Sequence, residues 1–132
     1  MSKWAGCCAL VGVVLLAIWS QQHIEAEQGK MQLRHVVLYK FKDDLKPQQV
    51  QEVVDTFAAL PKKIDTIAGF EMGTNISQEG KSEGLTHCFV VTFHDVKGLE
   101  AYLVHPAHQA YVQVVKDRRE KVVVFDYWVP AP

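Results

Sequence analysis

The sequence predicts an α+β fold in the order β-α-β-β-α-β. Two stretches alternate their side chains with period two, at Met31–Phe41 and Thr86–His94. Between them Val50, Val53, Val54, Phe57 and Leu60 form a stripe at helical spacing. A second helical stretch is cut by Pro106, inside Tyr102-Leu-Val-His-Pro-Ala-His108. Proline has no N–H and restricts the residue before it, so one helix ends here and another starts at once.

In the first strand Leu33, His35, Val37, Tyr39 and Phe41 share one face, and Arg34, Val36, Leu38 and Lys40 the other. Asp43 to Lys46 make a polar break, Pro47 fits a first helical turn, and Pro61 ends the helix. Ile64, Ile67 and Ala68 lead through Gly69 into a weaker strand, Phe70 to Ile76. Ser77 to Gly84 is polar with two glycines and reads as a loop. In the third strand His87, Phe89, Val91 and Phe93 line one side, and Thr86, Cys88, Val90 and Thr92 the other. Asp95 is placed to cap a helix over Val96 to Val104, with Leu99 and Leu103 packing inward. A helix from Ala107 to about Lys116 follows the break, burying Tyr111, Val112 and Val115 in part. Asp117 to Lys121 connects it to the last strand, Val122 to Val129.

This is a ferredoxin-like plan. Its helices cover one face of a four-stranded sheet, yet the strands are apolar on both faces, as in Val37 with Leu38, Val90 with Val91 and Val124 with Phe125. Left open, the second face is an exposed apolar patch. Packing it against the same face of a second copy removes it from water, so a homodimer whose two sheets form an α/β barrel is expected.

The 132 residues allow one domain, assigned to 31–129, with a formal charge of -1. Without a basic excess nucleic acid is excluded as a main partner. Residues 1–29 differ in character. Lys3 precedes an almost wholly apolar run, Ala5 to Trp19, and Ile24-Glu25-Ala26 suits cleavage. This is read as a secretory signal peptide, giving an exported protein. The alternatives are a retained membrane anchor through residues 5–19, or a start at Met31. Without residues 1–29 the chain holds 13 basic and 13 acidic side chains and one cysteine, Cys88, so an internal disulfide is impossible.

The chemistry-bearing groups crowd at the Pro106 break. The ordinary pKa of His108 suits a general base near neutral pH, with Tyr102 able to donate a hydrogen bond to an oxygen that gains charge. The competing reading has His108 bonded to a backbone carbonyl, fixing the bend. His105, before the proline, reads as a polar tie. His35 and His87, on the more apolar sides of their strands, line the same cavity or fill core positions. His94 reads as a solvated turn residue, and Cys88 as buried packing. No cofactor is expected. Zinc needs three or four ligands, and no CxxC, HxxxH or His-plus-carboxylate cluster supplies them. Haem has only His35 or His108 as an axial candidate. The glycines form no phosphate-cradling loop, and the serines no nucleophile elbow.

The segments His35-Val-Val-Leu-Tyr-Lys-Phe-Lys42, Gly84-Leu-Thr-His-Cys-Phe-Val-Val-Thr-Phe93, Leu99-Glu-Ala-Tyr-Leu-Val-His-Pro-Ala-His108 and Val124-Phe-Asp-Tyr127 resemble the stress-responsive dimeric α/β-barrel domain family. The resemblance runs from Met31 to about Val129 and implies tight dimers of ferredoxin-like subunits. One plant branch contains a polyketide cyclase that closes its substrate by aldol condensation. Its catalytic tyrosine and histidine fall by motif on Tyr102 and His108, and two further histidines match His35 and His87. The leading expectation is an exported or membrane-associated domain of unassigned activity that binds a small apolar ligand near His108, with His35, His87 and His105 as contacts. A lyase of the cyclase kind and a non-catalytic dimeric structural protein are the alternatives.

Overall fold

The computed structural model describes residues 31–132. The signal or anchor expected at 1–29 lies outside the described residues. The unit carrying the fold is Gln32–Val129. Its elements are β1 (Met31–Phe41), α1 (Pro47–Ala58), a 3-10 turn (Leu60–Lys62), β2 (Gly69–Thr74), β3 (His87–Phe93), α2 (Val96–Val104), α3 (Pro106–Val115) and β4 (Arg119–Pro130). This is the α+β, ferredoxin-like order the spacing predicts.

The four strands form one sheet in the order β2-β3-β1-β4. β1 pairs antiparallel with β3, placing His35 opposite Val91 and Tyr39 opposite His87. β2 pairs antiparallel with β3, Phe70 opposite Val91. Lys40 bonds Glu120 and His35 bonds Asp126 across the β1–β4 seam, so rising positions on β1 meet falling positions on β4 and this pair is antiparallel too.

The period-two face of β1 named from sequence is the buried one: Leu33, His35, Val37, Tyr39 and Phe41 all lie against the helices. From α1, Val53, Val54 and Phe57 meet it. Phe57 stacks on Phe89 with ring centroids 4.3 Å apart and touches Tyr111 at 4.6 Å. Burying a large apolar side chain contributes about 1.5–3 kcal/mol, so this aromatic stack is a main anchor of the helix layer. Tyr111 also donates its hydroxyl to Tyr39 at 2.9 Å, which satisfies a polar atom inside the core.

Local chemistry explains the ends. Pro47 stands in the first turn of α1, and the Gln49 side chain accepts from the Lys46 N–H. Pro61 sits inside the 3-10 turn that follows α1. Asp95 caps α2 by accepting from the Gly98 N–H at 2.7 Å.

Three sequence expectations need adjustment. β2 stops at Thr74, before Asn75 and Ile76. β4 begins at Arg119, within the polar run read as a connector, because the Lys40–Glu120 pair draws that run into the sheet edge. Leu103 is exposed, since the inward seat one turn after Leu99 goes to the larger Tyr102.

Candidate functional site

The site grows out of the Pro106 break. α2 ends at Val104 and α3 begins at Pro106, with extended His105 between them at φ -65° and ψ 136°. This conformation follows from the proline, which bars the helical region to the residue before it. The His105 side chain turns back, and its Nδ1 accepts from the Ala107 N–H at 3.1 Å. His105 is therefore the cap of α3, in the role usually held by Ser or Asp.

The break leaves the Leu103 carbonyl without a helical partner. Two side chains take it: His108 Nδ1–H donates at 3.1 Å and Gln109 Nε2 at 2.6 Å. A carbonyl only accepts, so Nδ1 of His108 carries the hydrogen. In the neutral ring the lone pair then sits on Nε2. Burial lowers the His108 pKa, the Leu103 bond opposes this in part, and the neighbouring His35 and His105 lower it slightly further. A neutral imidazole with an available lone pair is what a general base requires.

The His108 ring lies against Tyr102, centroids 4.2 Å apart. Tyr102 is 1% exposed and meets His35 on its other side at 5.8 Å. Burial holds its hydroxyl protonated far above neutral pH, so it serves as a hydrogen-bond donor. His35 in turn donates from Nδ1 to the Asp126 carboxylate at 2.7 Å. His35, Tyr102 and His108 thus form one continuous row of rings, with a carboxylate behind the first.

The strand behind that row is apolar and open. Alternation puts Trp128 on the same face of β4 as Asp126. It is 47% exposed, although it shares the sheet face that the helices cover elsewhere. An exposed indole therefore flanks the Asp126 end of the polar row.

Of the five residues named from sequence, Tyr102, His108 and His35 come together. His105 lies beside them as a cap. His87 stands apart: it pairs opposite Tyr39, four residues along β3 from the position facing His35, about 13 Å away. Its ring packs edge-on to Phe41 at 5.0 Å, its Nδ1 is 2.9 Å from Thr86 Oγ1, and burial lowers its pKa. Asp126 was not singled out from sequence. Its signal was there: a lone charge in the apolar strand Val122 to Val129, which meets a histidine of the first strand once the two strands pair. Among the described residues no group of three His, Cys, Asp or Glu side chains is arranged to hold a metal ion. Cys88 lies half-buried on the helix-free face, its thiol pKa raised by burial and by Glu71.

Comparison with known proteins agrees with this fold. The model of the stress responsive A/B barrel domain family matches residues 33–129. Olivetolic acid cyclase from Cannabis sativa is 34% identical over 97 residues, covering 74% of this chain and 96% of that protein. Among solved structures, At3g17210 from Arabidopsis thaliana superposes with a TM-score of 0.70 at 32% identity, covering 76% of this chain and 96% of that one. A dimeric ferredoxin-like protein of unknown function from Bacteroides fragilis does so with a TM-score of 0.60 at 27% identity, covering 73% and 94%.

Proposed function

We propose that this chain, which belongs to the stress responsive A/B barrel domain family, binds a small, mostly apolar molecule beside His108. The observation that carries the reading is the His108 ring itself. It is neutral by burial, fixed through Nδ1 to Leu103 and packed 4.2 Å from a protonated tyrosine, in a row of rings whose far end, at His35 and Asp126, meets the exposed Trp128 side of β4. A ligand with one polar end and an apolar body satisfies both surfaces.

One feature favours a catalytic version of the same site. With Nδ1 occupied, His108 Nε2 is available to take a proton from a carbon next to a carbonyl, while the Tyr102 hydroxyl donates to the oxygen that becomes an enolate. The proton moves to His108 and returns to carbon or to solvent, so the step needs no other reagent. The likeness to a cyclase supports this lyase or cyclase reading.

The active form is proposed to be a homodimer. The exposed Phe125 and Tyr127 on the helix-free face support it, as does the likeness to a dimeric protein. Sedimentation as a stable single chain at low micromolar concentration overturns this part. Export or membrane anchoring is proposed from Ala5 to Trp19, and the mass of the mature amino terminus distinguishes the two. Among the described residues no helix is long and apolar enough to cross a membrane.

The test of the site uses 4-phenylbutan-2-one, an apolar ketone with exchangeable protons beside its carbonyl. Binding is expected to shift the NMR signals of His108 and Tyr102. Catalysis is expected to speed deuterium exchange, with a loss of about a hundredfold or more in His108→Asn. Shifts confined to other regions refute the ligand site, and unchanged exchange in the variant refutes the base.

A further inference from the structure

The helix-free face of the sheet carries a hollow near one edge. Across β2, β3 and β1, Glu71 stands level with Val90 and Val36, and Gly73 level with Cys88 and Leu38. Here lies a groove of about 590 Å³, floored by Leu38, Cys88 and Val90 and walled by Leu85 of the loop between β2 and β3. Gly73 gives it depth: a Cβ at that position would meet nothing within 4 Å.

The same face carries a protrusion at the opposite edge. Asp126 reaches His35 on the helix side, so its neighbours Phe125 and Tyr127 point away from the helices. Phe125 is 63% exposed and lies 6.0 Å from Tyr127. β4 and β2 are the two edges of the sheet. When two such sheets face each other about a two-fold axis parallel to their strands, β4 of one copy lies over β2 of the other. Strand level is preserved by that rotation when the axis runs along the strands. The His35–Asp126 contact puts the adjacent Phe125 level with Val36, the row in which the groove opens.

We infer that the groove is a socket for Phe125 of a second copy, filled twice in each dimer. This rests on the dimer reading above and deepens it by naming what closes the interface. An exposed aromatic ring and an apolar hollow lacking a side chain at Gly73 complement each other in shape and in polarity. Glu71, at the outer strand, stays at the hydrated rim.

The experiment uses the full chain with Cys7→Ser and Cys8→Ser, so that Cys88 is the one native thiol. Phe125→Cys is added, and the protein is treated with a short bis-maleimide. A covalent dimer is expected, and it is expected to vanish when Cys88→Ser is added. Independently, Gly73→Leu fills the hollow where the single subunit has open space. It is expected to keep its circular dichroism spectrum and to weaken the dimer by about tenfold or more in sedimentation. A dimer by sedimentation that shows no Cys88-dependent crosslink, or that tolerates Gly73→Leu unchanged, overturns the socket and leaves the dimer standing. A monomeric parent protein overturns both.

Discussion

Replacing His108 with asparagine separates the two jobs of its ring. The asparagine amide stands where Nδ1–H stood and keeps a donor for the Leu103 carbonyl, a bond of about 1 kcal/mol net. What disappears is the ring packed 4.2 Å from Tyr102, a contact of about 0.5–1.5 kcal/mol. Above neutral pH the variant is therefore expected to lose about 1 kcal/mol, or roughly 4–8 °C in melting temperature for a domain of this size. Acid changes the comparison. The folded pKa of His108 is depressed by burial, so below the unfolded value near 6.5 the unfolded chain holds more protons than the folded one. Its contribution is fully present above that value and is lost as the pH falls toward the folded pKa, with a slope of at most about 1.4 kcal/mol per pH unit. His87, also lowered by burial, adds a second such loss that the variant keeps. The introduced amide does not titrate, so the stability gap between parent and variant is expected to narrow from about pH 8 to about pH 5.5. Urea unfolding followed by circular dichroism, at fixed protein concentration, measures it. A gap that stays constant or widens on acidification refutes a buried neutral imidazole at this position.

Two further outcomes follow from the geometry. Substituting His105→Ala removes the acceptor for the Ala107 N–H and is expected to cost about 0.5–2 kcal/mol in the same assay, like the loss of any helix cap; no measurable change refutes the capping role. Truncation by Phe57→Ala empties the space between Phe89 and Tyr111 and is expected to cost about 3–5 kcal/mol, whereas a value below about 1 kcal/mol contradicts its place at the centre of the core.

The fold was legible because its signals are periodic and local. Alternation in β1 and β3 named the buried face residue by residue, and Pro106 marked the helix break. Edges were less legible, since they are settled by partners distant in sequence. Arg119 to Lys121 look like a polar connector until Lys40 is placed beside Glu120. The site divides in the same way. Tyr102 and His108 are six positions apart and share a bend, so their meeting follows from local structure. His35 joins them only because β1 lies beneath α2, and the Asp126 behind it required the β1–β4 pairing. His87 has the same residue type and the same face as His35. Its distance from the site depends on register along β3, which face alone does not give.

The seam between β1 and β4 also sets how much error the chain tolerates near its end. Side chains alternate, so an insertion or deletion of a single residue between Arg118 and Asp126 slides the whole edge by one step. The carboxylate then swings to the helix-free side, and Phe125 after an insertion, or Tyr127 after a deletion, is driven against His35 in its place. One such frame change removes the acceptor of His35 and blunts the protruding aromatic on the outer side together. The spacing from Glu120 to Asp126 is thus held by both surfaces at once, and it is the length of this segment, more than its composition, that has least room to drift.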